Sequence, residues 1–109
     1  MTRLLILCLL AVASLSAAQA KQTFTGTITD NMCARADHSQ MQMGPTDAAC
    51  TRECISAHGA VYVLFDGKNA YTLSDQQTPN TFAAQKVRVT GSLDAKTRTI
   101  HVDSITAAK

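Results

Sequence analysis

The chain has no run of like charges, no low-complexity tract and no internal repeat. It therefore lacks the marks of a charged interaction tail, a disordered linker or a repeat array. Ten Lys and Arg stand against eight Asp and Glu, for a formal net charge of +2, with no basic stripe. That balance argues against strong electrostatic binding of nucleic acid, and no nucleic-acid partner is expected. Also missing are a nucleophile elbow, a phosphate-binding loop, Cys-x-x-Cys and the haem-attachment Cys-x-x-Cys-His. Without them, hydrolytic, nucleotide-dependent, thioredoxin-like and c-type haem chemistry have no signature to stand on. Asp30 and Asp37 flank Cys33, but nothing pairs two carboxylates for acid–base work. The chain does not read as an enzyme.

What is present begins with a removable start. Arg3 supplies a positive charge, Leu4 to Leu15 is apolar, and Ala18-Gln19-Ala20 has the small-x-small pattern that precedes a cleavage point. The apolar run is too short to span a bilayer as a helix. Residue Leu7, ahead of Cys8, is not the small residue a lipoprotein signal wants. Residues 1–20 thus read as a signal peptide, which would take Cys8 away with it, and the protein is expected to be periplasmic or secreted, with no membrane anchor after cleavage. Residues 21–109 are then one domain, small enough that a covalent or metal staple would add usefully to its core.

Within that domain, "TFTGTIT" (Thr23 to Thr29) alternates with period two, placing Phe24, Gly26 and Ile28 on one face. "AVYVLF" and "NAYTL", joined through Asp66-Gly67, predict a hairpin. Thr78 followed by Pro79 predicts a short capped helix. "KVRVTGSL" and "RTIHVDSI", turned by "DAKT", predict a second hairpin, and Ile105 breaks parity as a bulge or a strand end near Ser104 would make it do. The expected fold is mainly β, a small five-stranded OB-like barrel. One short helix lies in the insert after strand 1 and another between strands 3 and 4. Its predicted core is Phe24, Ile28, Val61, Val63, Phe65, Tyr71, Leu73, Val87, Val89, Leu93, Ile100 and Val102, with the register of "AVYVLF" left open.

The insert, residues 31–59, is chemically unlike the rest. It gathers Cys33, Cys50 and Cys54, Met32, Met41 and Met43, and two of the three His, His38 and His58. Gly44-Pro45 breaks the chain, Thr46 or Asp47 can cap a helix through "AACTRECISAH", and Gly59 is placed to end it. Cys50 and Cys54, four apart, project from one helix face. Cys50 and His58 would lie about 12 Å apart along an unbroken helix, too far to share one tetrahedral ion. The workable set joins Cys50 and Cys54 to Cys33, with His38, Met41 or Met43 as fourth contact. His38 is preferred, and the donor types suit zinc or cuprous copper.

Three states of these thiols stay open: a metal site, a disulfide from Cys33 to Cys50 or Cys54 with one thiol left over, or a reactive thiolate at Cys50 near the helix start. His58 suits a helix C-terminus without any ligand, and His101 falls on an outward strand position.

"FTGTITDNMC", His38, "C-x-x-x-C", "G-A-V-Y-V-L" and "KVRVTGSLDAKTRTIHVDSI" together resemble a family of small secreted bacterial OB-fold-like proteins of unknown function with a Cys-containing insert. The resemblance spans nearly all of residues 21–109 and implies export and fold rather than an activity. The expectation is a non-enzymatic exported binding domain holding a soft metal ion through Cys33, Cys50, Cys54 and His38. The alternative is a disulfide-stapled module that meets a periplasmic protein or glycan without metal.

Overall fold

Alternating apolar residues give five strands, and their pairing is the frame for everything else. The computed structural model describes residues 20–108; the segment read as a signal peptide lies, apart from Ala20, outside them. The strands are β1 (Gln22–Asp30), β2 (Tyr62–Phe65), β3 (Ala70–Leu73), β4 (Lys86–Asp94) and β5 (Thr99–Ala107), with one α-helix, α1 (Asp47–His58). Short 3-10 turns occupy Asn31–Cys33 and Thr78–Phe82. The strands close into a ring in the order β1-β2-β3-β5-β4, with β4 returning to β1. All pairs are antiparallel except β3 with β5, which makes the sheet mixed.

β1 serves two neighbours. Gln22 to Thr27 pair with β4, while Thr27 to Asp30 pair with β2. Such a switch needs a strongly coiled strand, and Gly26 sits where a Cβ would strike the Phe65 carbonyl oxygen. Gly91 is under the same constraint from His101, beside a register shift in which Thr90 pairs with Ser104 but Gly91 pairs with Val102. The extra residue on β5 is Asp103 and the strand runs on to Ala107, so of the two readings of the parity break at Ile105 the bulge is the one found.

Ile28, Tyr62, Leu64, Leu73, Ala83, Val87, Val89 and Ile100 form the core, with Phe24, Tyr71, Leu93 and Val102 packed at its margin. β2 corrects the predicted list. Tyr62 and Leu64 face inward, so Val61, Val63 and Phe65 do not. Tyr62 can enter because its hydroxyl donates to Asn80 Oδ1 at 2.8 Å, which removes the cost of burying it. The second short turn is also held differently from expectation. No side chain of its cap residue bonds there, and Asp75 Oδ1 instead accepts the Gln77 and Thr78 N–H groups at 2.9 and 3.0 Å.

α1 lies against β1, and its Ala48 and Ile55 touch the core. On its inner side Cys50, Cys54 and Ala60 form a second small cluster, with Met41 and Ile55 packed on it. The insert is thereby carried on the ring.

Candidate metal centre

The first ligand is placed by the end of β1. Asp30 Oδ1 accepts the Met32 and Cys33 N–H groups at 3.0 and 2.9 Å, winding the chain into the 3-10 turn that presents Cys33. Thr29 Oγ1 donates to the Cys33 carbonyl at 2.8 Å and fixes the same residue from below. Asn31 and Val61 clasp the two ends of the insert, through Asn31 N–H to the Val61 carbonyl and Val61 N–H to Asn31 Oδ1, both 3.0 Å.

From Cys33 the chain reverses at once. The Ala36 N–H reaches the Cys33 carbonyl at 2.8 Å, and Ala36 itself adopts φ 57°, a left-handed conformation that costs a non-glycine residue about 1–2 kcal/mol. This turn carries His38 back over Cys33. Arg35 lies across the Phe65 ring, 5.6 Å from its centre, and pins the loop to β2.

α1 presents the third group. Thr46 is the cap, accepting the Ala49 N–H at 3.1 Å, and the left-handed Gly59 (φ 70°) ends the helix. Of the two caps the sequence allowed, Thr46 is used and Asp47 opens the first turn. Cys50 then makes the first intrahelical bond, to the Thr46 carbonyl at 2.8 Å. Its sulfur donates to the Met41 carbonyl at 3.0 Å and accepts the Met43 N–H at 3.3 Å. Gly44 lets this loop pass tightly over the helix start, since a Cβ there would meet Ala49.

Cys33, His38 and Cys50 thus converge, their ligand atoms all within 4.8 Å of one another. All three are buried, at 6 %, 6 % and 1 % exposure. Ligand atoms around a tetrahedral ion with bonds of ~2.0–2.3 Å stand about 3.5–3.8 Å apart, so a contraction of about an ångström would close the group on a metal. A cavity of about 110 Å³, lined by His38, Gln42, Gly44, Pro45, Thr46, Asp47 and Cys50, adjoins it.

Cys54 is fully buried one turn further along α1 but stands outside this group of three. Met41 packs beside the helix thiols, Met43 is exposed, and His58 and His101 are exposed. The disulfide considered for Cys33 is not formed; Cys33, Cys50 and Cys54 are all free thiols. Cys50 spends its sulfur on backbone groups of the Met41–Met43 loop instead.

The electrostatics are unusual for so small a domain. Among the described residues, the buried side-chain polar atoms without a hydrogen-bond partner are Asp30 Oδ2, His38 Nδ1 and Thr51 Oγ1. Two of them belong to the residues just described, and unpartnered buried polar atoms are costly unless something else satisfies them. The thiols of Cys33 and Cys54 are pushed up from an ordinary 9.0 to about 11, first by burial and then by the Asp30 carboxylate and neighbouring Cys50. Buried thiols held protonated are poor nucleophiles. A cation would reverse that balance, because coordination deprotonates a thiol outright.

Asp30, buried beside Cys33 with one oxygen unpartnered, is the member of this cluster that the sequence did not single out as a candidate. Its signal was present as a capping residue three positions before Cys33. None of the family models, curated proteins or solved structures compared with the chain matches it.

Proposed function

We propose that this is an exported domain whose work is to hold one soft metal ion, zinc or cuprous copper, in the insert. Cys33, His38 and Cys50 are its ligands, and Cys54 completes the set from the same face of α1. The observation that carries the reading is the buried convergence of two sulfurs and an imidazole within 4.8 Å. The unpartnered His38 Nδ1 supports it, since a ligand bond would satisfy that atom. Cys54 is one helical turn from Cys50, and a side-chain rotation is the smallest movement that would bring it in.

We further propose that the ring is a barrel of the OB type, on its strand order and its short turn between β3 and β4. The resemblance to secreted bacterial OB-like proteins and the apolar start point to the periplasm or beyond. No helix among the described residues is long and apolar enough to cross a membrane.

The test is the intact mass of the exported protein, measured under native conditions and again after denaturation in chelator with thiol alkylation. The reading predicts a retained metal ion and three alkylatable thiols without any reductant. Two thiols already joined and no metal would overturn it in favour of a disulfide-stapled interaction module.

A further inference from the structure

Resting on the metal reading above, we infer that Asp30 tilts the site towards a divalent ion of the zinc class and away from a monovalent one. Asp30 is the last residue of β1 and is fully buried. Its two oxygens do different things. Oδ1 caps the 3-10 turn through the Met32 and Cys33 N–H groups, while Oδ2 is buried and meets no donor. Capping alone does not call for a carboxylate, because an uncharged Asn or Ser caps as well. The charge is surplus to the fold.

Among the described residues, no cation pairs with it. Arg35 is exposed and lies on Phe65, and Arg52 is exposed and donates to the Asn80 carbonyl at 3.1 and 2.9 Å. The ion pair found among the described residues is Lys21 with Asp103, elsewhere on the ring. The 2.9 Å bond from the Cys33 N–H to Oδ1, with Oδ2 buried alongside, places the carboxylate next to the first candidate ligand.

The consequence is a matter of charge. Thiolates at Cys33 and Cys50 with the Asp30 carboxylate make three negative charges around a neutral imidazole. A divalent ion leaves one of these uncompensated and a monovalent ion leaves two; adding the Cys54 thiolate raises both figures by one. Uncompensated charge in a buried site is expensive, so each step favours the dication. The attraction of the carboxylate itself is twice as large for a dication at the same place.

The test compares wild type with Asp30→Asn, which keeps a capping oxygen and removes the charge. Reduced proteins are titrated with zinc and, separately and anaerobically, with cuprous ion, each against a chelator of known affinity. Removing the charge also eases thiol deprotonation, equally for both ions, so the readout is the ratio of zinc to cuprous affinity.

Loss of a group that supports a metal site commonly costs 10–100-fold in affinity. Coulomb scaling halves the logarithm of that loss for a monovalent ion, so the ratio should fall by about 3–10-fold. An unchanged ratio, or one that rises, overturns the inference while leaving the metal reading intact. Failure of wild type to take up either ion overturns both. Asp30→Ser, which also retains a capping oxygen, must give the same ratio. A shared melting temperature of the metal-free forms shows that the fold is not what changed.

Discussion

The ring and the insert are stabilised by opposite means. Inside the ring, Ile28, Leu64, Leu73, Val87, Val89 and Ile100 are all at 1 % exposure or less, and the one polar tip among the core residues, the Tyr62 hydroxyl, has its partner in Asn80. The insert has almost no hydrocarbon of its own beyond Met41 and Ile55, yet it buries three thiols, an imidazole and, at its threshold, a carboxylate. Apolar side chains have no proton to exchange and no donor for a metal, so their burial is indifferent to both. Buried sulfur, imidazole and carboxylate respond to protons, oxidants and metals. The two regions should therefore come apart experimentally.

The largest effect belongs to the ring. Leu64→Ala removes a fully buried side chain at the centre of the core. A cost of about 2–5 kcal/mol is expected, and the melting temperature should fall by on the order of 10 °C or more. Thermal unfolding followed by circular dichroism should show the same fall with zinc and with chelator. A fall from wild type that is clearly smaller in zinc than in chelator, each pair compared in the same condition, would mean the ring depends on the insert.

Metal should act through the insert, with a somewhat smaller effect on the domain. Zinc at a free concentration about 100 times its dissociation constant stabilises by about 2.7 kcal/mol, on the order of 10 °C for a domain of this size. Cys50→Ser should abolish that gain while melting, without metal, close to wild type. If the variant keeps the zinc-dependent rise, Cys50 is not a ligand.

Alkali should separate metal-free from metal-loaded protein. The Cys33 and Cys54 thiols hold their protons to about 11 in the folded state, against an ordinary 9.0. A raised pKa on a neutral acid means that the folded form binds the proton more tightly. The stability it contributes is fully present below pH 9 and is lost as pH climbs towards 11. Melting temperatures across that window should decline in metal-free protein and decline less with zinc bound, whose thiolates have no proton to lose. Equal declines would show that the thiols are not the groups responsible.

The smallest effect is a surface one. Arg35→Ala removes the cation over Phe65, worth about 0.5–1 kcal/mol at an exposed position. The melting temperature should drop by a few degrees, and hydrogen exchange should rise in the Cys33–His38 turn but not in β4. Faster exchange in both would mean that the loop is not a separate unit.

What the sequence could and could not disclose follows the same division. Alternation located β1, β4 and β5 and the parity break near Ser104, because inward and outward positions differ in polarity along those strands. It misjudged β2, where Tyr62, Val63 and Leu64 are all buried and polarity marks neither face. Only the reach of the Tyr62 hydroxyl to Asn80, fixed by the turn after β3, decides which way that strand turns.

In the insert, spacing joined Cys33 to Cys50 and Cys54, with His38 as the preferred fourth contact, but it could not see that Ala36 would adopt a left-handed turn between Cys33 and the imidazole, or that His38 would be one of the closest three. Nor could it see that Cys54, although on the same helix face as Cys50, would stay outside the closest group. Asp30 looked like a strand-end residue. Its burial with one oxygen unpartnered is a property of the folded state alone.

The central claim, that the insert is a thiolate–imidazole metal site, is tested most directly by cobalt. Cobalt(II) titrated into reduced, metal-free protein should produce thiolate-to-metal charge-transfer bands and the visible bands of a tetrahedral ion, both saturating at one equivalent. Zinc should bleach them. The charge-transfer intensity should fall in Cys33→Ser and Cys50→Ser, and the visible bands should shift in His38→Ala. Absence of these bands in wild type at excess cobalt, or their persistence unchanged in all three variants, would contradict the account.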